Sequence, residues 1–137
     1  MAPVSDLASD ERLGRRGFSK QQAKKAARAE NPSVDFRAFL DSQPGLSVDR
    51  IDQAPIADLT AMADAEVPPE RDSFYGWFVV SVSVASEKCR VEATPTSTNQ
   101  YHADIWLPDA ALEDRAKRIE IAHDLARSAT WQARQNP

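Results

Sequence analysis

The sequence predicts an α+β fold: short N-terminal helices, then a three-stranded antiparallel β-meander, then a long C-terminal helix packed on one face of the sheet. Two patterns indicate this order. Before residue 67, apolar residues recur at helical spacing between proline stops, whereas between Trp77 and Leu107 they alternate with polar ones. After Pro108 a wide apolar arc returns at helical spacing. The length of 137 residues fits one domain.

The boundaries of the domain follow from composition. The first seventeen residues are polar and contain two of the four glycines, so a flexible basic tail is expected there. A single α+β domain should follow it. The expected ranges are 1–17 for the tail and 18–137 for the domain, which divides into a helical part (18–66), a linker (67–73) and a ββ-β-α part (74–134).

Local signals place the individual helices. Ser19 and Gln22 form a capping-box pattern at the start of the first helix. Pro55 suits the first turn of a later helix, because its missing N–H group is not needed there. Ser47 is expected to cap a short turn that runs to Ile51. Asp109 is expected to cap the long C-terminal helix.

The three predicted strands can be aligned by their apolar residues, because a slip of one residue would turn every side chain to the wrong face. In the first hairpin, Val82 is expected opposite Val91. In the second hairpin, Val91 is expected opposite Ile105, and Ala93 opposite Ala103. All three strands then present apolar residues on one face, which favours the meander.

The opposite face of this sheet mixes aromatic and charged residues. Tryptophan and arginine are enriched at the centres of protein interfaces, and Arg90 is expected to stack on Trp106. Either the N-terminal helices cover this face or a partner does. We therefore expect a small non-enzymatic accessory module whose partner is another protein, and the expected partner-binding residues are Trp77, Arg90, Glu92, His102, Asp104 and Trp106.

A small hydrolase or metal-dependent enzyme is one alternative. His102, Asp104 and Glu92 lie on the same face of the predicted sheet, and these residue types can transfer protons or bind metals. The single cysteine, Cys89, excludes a zinc site built from several cysteines. The sequence contains no Gly-x-Ser-x-Gly nucleophile motif and no Gly-rich phosphate loop. We therefore assign no catalytic residue, no metal and no cofactor.

Non-specific nucleic-acid binding is a second alternative. Basic residues are concentrated near the N-terminus, in a chain whose formal net charge is −4, and such a segment can neutralise phosphates. No aromatic platform accompanies these residues, so base recognition is not expected. The candidate residues are Arg12, Arg15, Arg16, Lys20, Lys24, Lys25 and Arg28.

The sequence also bears on location. The N-terminus lacks a basic stretch followed by an apolar one, so no secretory signal is expected. The longest apolar run, Trp77–Val80, is too short to span a bilayer. One cysteine cannot form an internal disulfide, and a reduced, buried thiol is expected at Cys89. Together these features predict a soluble cytoplasmic protein.

Overall fold

The computed structural model describes residues 7–135. Within that range the chain forms a six-stranded antiparallel sheet with the strand order β4-β5-β2-β1-β3-β6. The N-terminal strand is therefore an inner strand, and β4 and β6 form the two edges. The strands are β1 (Arg12–Gly17), β2 (Gly45–Arg50), β3 (Gly76–Ser81), β4 (Arg90–Ala93), β5 (His102–Trp106) and β6 (Thr130–Ala133).

Five α-helices and one 3-10 helix connect these strands. The longest is α5, and none of the helices in the described range is both long and apolar enough to cross a bilayer. The helices are α1 (Lys20–Ala26), the 3-10 helix (Phe36–Phe39), α2 (Ile56–Ala65), α3 (Val82–Ala85), α4 (Asp109–Leu112) and α5 (Arg115–Ser128).

Each face of the sheet carries its own hydrophobic cluster. On the first face, Leu13, Val80 and Ile105 pack with residues of α5 such as Leu125. On the second face, α2 packs against β3 through a smaller cluster that contains Leu59, Ala63, Phe74, Trp77 and Val79. We call these the first and second sheet faces. The helix α2 covers the β1–β3 half of the second face.

The coarse fold prediction is confirmed: the chain is α+β, its sheet is antiparallel, and a long helix lies near the C-terminus. The register of the second hairpin is also confirmed. Val91 pairs with Ile105 and Ala93 with Ala103. Ala103 and Ile105 belong to the cluster on the first face, and Val91 packs against it. Local alternation was sufficient here because these strands are close in sequence and share one connection.

The predicted number of strands is wrong, since the sheet has six strands and not three. Arg12–Gly17, expected within a flexible tail, forms β1, and Gly45–Arg50, expected near a short turn, forms β2. The physical reason is that β1 has little apolar alternation of its own. Its arginines and glycines are satisfied by groups far away in sequence. Residues 1–6 of the expected tail lie outside the described range.

The predicted first hairpin is also wrong. β3 pairs with β1 on one side and β6 on the other, so neither of its edges is free for β4. After β3 the chain turns into the short helix α3, because the Ser81 side chain caps that helix by accepting a hydrogen bond from the Val84 backbone N–H. Val82 is therefore helical and does not pair with Val91.

The predicted long helix is interrupted. It is divided into α4 and α5, and Asp114 caps α5 by accepting a hydrogen bond from the Lys117 backbone N–H at 3.2 Å. The first cap is also shifted by one residue, since Pro108 precedes α4 and Asp109 lies within its first turn. The helix ends at Ser128, and the following residues form β6.

Candidate functional site

The β2–β5–β4 half of the second sheet face carries the candidate site. Strand pairing places Arg90 opposite Trp106 and Glu92 opposite Asp104, while His102 lies opposite Asp49 of β2. The exposed fraction of the side chain rises toward the edge strand, from 14% at Asp104 to 65% at Arg90. We call this surface the open sheet face, and it consists of Ser47, Arg90, Glu92, Thr94, His102, Asp104 and Trp106.

The charges on the open sheet face are locally compensated. The Arg90 guanidinium lies 5.5 Å from the centroid of the Trp106 ring and binds the Glu92 carboxylate at 2.6 Å. Asp104 instead accepts a hydrogen bond from the Thr94 hydroxyl at 2.8 Å. The opposed carboxylates of Glu92 and Asp104 are thus tolerated, because each has a donor of its own.

Trp106 lies flat over the neighbouring strand β2. A Cβ atom at Gly45 would lie only 2.7 Å from the Trp106 ring, so the glycine makes room for the indole. The indole N–H group is buried and has no hydrogen-bond partner among residues 7–135. A buried donor without an acceptor costs free energy.

A cleft of about 400 Å³ opens beside Trp106. Leu112 is the last residue of α4, is 37% exposed and forms part of one wall of the cleft. Lys88 and Arg90 also line the cleft and are paired with Asp124 and Glu92, respectively, and Asp109 contributes one carboxylate. We call this the Trp106 cleft, and its walls are Pro44, Lys88, Arg90, Trp106, Leu107, Pro108, Asp109 and Leu112.

Trp77 does not belong to the open sheet face. The sheet face of Trp77 was predicted correctly, because Trp77 shares the second face with Val79, whereas Phe78 lies on the first face. However, α2 covers it: its side chain is fully buried, and its indole N–H donates to Asp49 at 2.8 Å. Trp77 is therefore a core residue that no partner can reach in this fold.

The residues of the hydrolase alternative do not form a nucleophile–base pair. The His102 ring nitrogen Nδ1 lies 3.0 Å from the Thr94 carbonyl oxygen. Nδ1 also lies 2.9 Å from the Thr94 hydroxyl oxygen, but that hydroxyl donates its single proton to Asp104 at 2.8 Å, so it is held by the carboxylate and not by His102. Glu92 binds Arg90 instead of His102. Within the part of the chain that the structure describes, no three histidine, cysteine or acidic residues are grouped to hold a metal.

The seven candidate nucleic-acid residues do not form one free basic stripe. Arg12, Arg15 and Arg16 lie on β1, and each binds a carboxylate from another segment: Asp52, Asp41 and Asp49, respectively. The charge of these three arginines is thus already balanced inside the fold. The remaining four, Lys20, Lys24, Lys25 and Arg28, lie on α1 or just after it.

Asp49 is the centre of a buried polar network that sequence reasoning missed. Its carboxylate accepts hydrogen bonds from Arg16 Nε at 2.9 Å, from Trp77 Nε1 at 2.8 Å and from Asn99 Nδ2 at 2.8 Å. Burial lowers the pKa of Arg16, but its hydrogen bonds and charge interactions with Asp49 and Glu66 outweigh this effect and raise that pKa. No local pattern marks Asp49, because its partners come from three separate segments.

Cys89 was expected to be a reduced, buried thiol. It is a half-buried free thiol beside a cavity of about 310 Å³. Burial raises the pKa of this thiol, while the charge of Lys88 acts weakly in the opposite direction. The thiolate form needed for nucleophilic chemistry is thereby disfavoured.

The chain was compared with protein-family models, with curated protein sequences and with solved structures, and none of the three comparisons gave a match.

Proposed function

We propose that this chain is a small non-enzymatic protein-binding module that docks another protein of the same cell through the Trp106 cleft and the open sheet face. The observation that carries the proposal is the cleft itself. It combines a half-buried tryptophan ring, a stacked arginine and an exposed leucine. Aromatic and arginine anchors next to apolar pockets dominate the binding energy of protein interfaces.

The chemistry of the cleft indicates what the partner presents. Leu107, Leu112 and the Trp106 ring favour an apolar or aromatic side chain. Lys88 and Arg90 are 51% and 65% exposed, and each already binds one carboxylate, Asp124 and Glu92 respectively. An ammonium and a guanidinium both have further N–H donors, so an acidic residue next to the apolar one would accept hydrogen bonds from them. The proposed partner segment therefore carries an aromatic or aliphatic side chain flanked by Asp or Glu.

The hydrogen bonds around His102 support a non-enzymatic role for this face. Thr94 holds Asp104 through its hydroxyl and His102 through its carbonyl. These three residues thus fix the conformation of the β4–β5 connection, and they leave the face as a rigid surface. Rigid surfaces lose little entropy on binding.

The proposal can be tested by selecting peptides from a random display library on the full chain. We expect the selected peptides to pair an aromatic or aliphatic residue with a nearby acid. Leu112→Asp and Arg90→Glu should each weaken their binding by about tenfold or more, because each change removes an anchor and adds a repelling charge. Fluorescence anisotropy with the selected peptides measures this loss.

Two exposed positions outside the cleft provide matched controls. Ala110→Asp adds the same charge on the same short helix as Leu112→Asp, and Arg115→Glu reverses a charge on α5. Both controls should bind within about twofold of the wild type. The proposal is wrong if no peptide is enriched, or if the cleft variants and the controls bind equally well.

A further inference from the structure

A second cavity, separate from the Trp106 cleft, lies between α1, the 3-10 helix and the loop before β3. Its volume is about 550 Å³, and its walls are polar. Four of its side chains are cationic and one is a carboxylate, although the whole chain has a net charge of −4. We call it the cationic cavity, and its charged residues are Lys25, Arg28, Asp35, Arg37 and Arg71.

Hydrogen bonds and packing hold the walls of the cationic cavity in place. The Ser33 backbone N–H donates to the Lys25 carbonyl at 3.2 Å, which ties the segment before the 3-10 helix to α1. Asp35 caps the 3-10 helix by accepting from the Arg37 backbone N–H at 2.9 Å. On the other side, the Phe18 and Phe74 rings pack edge to face with centroids 5.9 Å apart. The cavity is thus formed by fixed segments.

One of the four cations is already neutralised. Arg37 forms a two-point ion pair with Asp35, with Nε at 3.0 Å and Nη2 at 2.7 Å from the carboxylate oxygens. Hydrogen bonding to Arg37 lowers the pKa of Asp35 from 3.8 to about 2 against the opposing effect of burial, and the charge of Lys25 adds to this. The Asp35 carboxylate therefore stays ionised and occupied by Arg37.

The other three cations have no such partner. Lys25, Arg28 and Arg71 form no salt bridge with any residue in the described range 7–135. Three like charges around one cavity repel each other, and this repulsion is relieved by an anion. The Gln22 amide also lines the cavity and offers a neutral donor.

From this arrangement we propose that the cationic cavity binds a small, multiply charged phosphate ligand of the pyrophosphate type. Guanidinium groups bind phosphate oxygens through two parallel hydrogen bonds. The cavity presents two that are not in a salt bridge within residues 7–135, Arg28 and Arg71, from two segments. Among the described residues, its walls contain no aromatic ring on which a base could stack. A compact phosphate group therefore fits better than a nucleic-acid strand.

Phosphate binding in the cationic cavity differs from the hypothesis that the whole basic N-terminal segment binds nucleic acid. Arg12, Arg15 and Arg16 are bound to carboxylates and do not line the cavity. Only Lys25 and Arg28 of the seven candidates contribute to it, and they act with Arg37 and Arg71 from further along the chain. The cavity is thus a local site rather than an extended track for a backbone.

Isothermal titration calorimetry of the full chain at low salt tests the proposal, with pyrophosphate and inorganic phosphate as the two ligands. We expect pyrophosphate to bind more tightly than phosphate, because it carries more charge. The double variant Lys25→Gln and Arg28→Gln should weaken pyrophosphate binding by about tenfold or more. Both positions are partly or fully exposed, so the melting temperature should not change.

The same helix offers a charge-matched control. The double variant Lys20→Gln and Lys24→Gln removes the same number of positive charges, and neither residue lines the cavity. This control should bind pyrophosphate within about twofold of the wild type. Leu112→Asp should have no effect, which separates this site from the Trp106 cleft.

Two results would overturn the proposal. They are the absence of pyrophosphate binding at low salt and an equal loss of binding in the two double variants.

Discussion

At the scale of single residues, Asp49 shows how far the site extends beyond what local sequence reveals. Its carboxylate joins β1, β3 and the β4–β5 connection through Arg16, Trp77 and Asn99. These partners are between 28 and 50 residues away in sequence. Asp49 could not be identified from the sequence as the centre of a network, because its three donors come together only when the sheet has formed.

Removal of this carboxylate should strongly destabilise the fold. Asp49→Ala leaves the buried Trp77 N–H and the largely buried Arg16 guanidinium without their main acceptor. Breaking one side of a buried ion pair costs about 3–5 kcal/mol. Urea unfolding of Asp49→Ala and wild type measures this change in the free energy of unfolding.

The control for this prediction is Asp52→Ala, which removes a carboxylate from a largely exposed pair with Arg12. Exposed pairs contribute about 1 kcal/mol or less. If the two variants were destabilised by the same amount, the central role of Asp49 would be disproved.

The two tryptophans show which part of the candidate site could be predicted. Strand alternation assigned Trp77 and Trp106 to one face correctly. It did not show that α2 covers Trp77 and leaves Trp106 beside an open cleft. The face of the sheet on which a strand residue lies is a local property of the sequence. Whether another element covers that face depends on how distant segments pack.

At the scale of elements, β1 shows why one of the three missed strands could not be predicted from its own residues. The sequence Arg-Leu-Gly-Arg-Arg-Gly has one apolar residue, so it does not alternate. Its glycines let large rings lie across the strand: a Cβ atom at Gly14 would lie 2.7–2.9 Å from the Trp77 side chain. Its arginines bind carboxylates from other segments. The strand is thus stabilised by tertiary contacts.

We therefore expect Gly14→Ala to destabilise the fold by about 1–3 kcal/mol, the usual cost of overpacking a core. The new methyl group would contact the Cβ and Cγ atoms of Trp77, which is fully buried and has no room to move. Thermal unfolding followed by circular dichroism measures the effect.

Gly45→Ala is the matched comparison for that change. Its methyl group would contact the outer ring atoms of the half-buried Trp106, which can shift toward the cleft. Gly45→Ala should therefore cost less than Gly14→Ala. The reverse order would mean that the ring packing on the second face has been assigned incorrectly.

The helices were easier to predict than the strands, because their signals are local. Ser19 caps α1 by accepting from the Gln22 N–H at 3.3 Å, and Pro55 directly precedes α2, as the sequence indicated. The end of α1 at Ala26 and the break at Asp114 were not predicted. The positions where helices end depend on competing hydrogen bonds, which leave weaker signals in the sequence than N-terminal caps do.

At the scale of the whole molecule, the sheet order determines where both proposed sites lie. The alternating strands β3, β4 and β5 were found from sequence, but β3 and β5 are separated by β2 and β1. Insertion of these two strands widens the second face. The helix α2 covers one half, and the other half remains as the open sheet face and the Trp106 cleft.

Both proposed sites depend on Arg12–Gly17 being an inner strand of the sheet, bonded on both sides. Backbone amide hydrogen exchange of the full chain measures whether this segment is part of the sheet. We expect its amides to exchange as slowly as those of β3, since both strands open only when the sheet itself opens. Exchange at the rate of an unstructured peptide would contradict it and would remove the basis for both proposed sites.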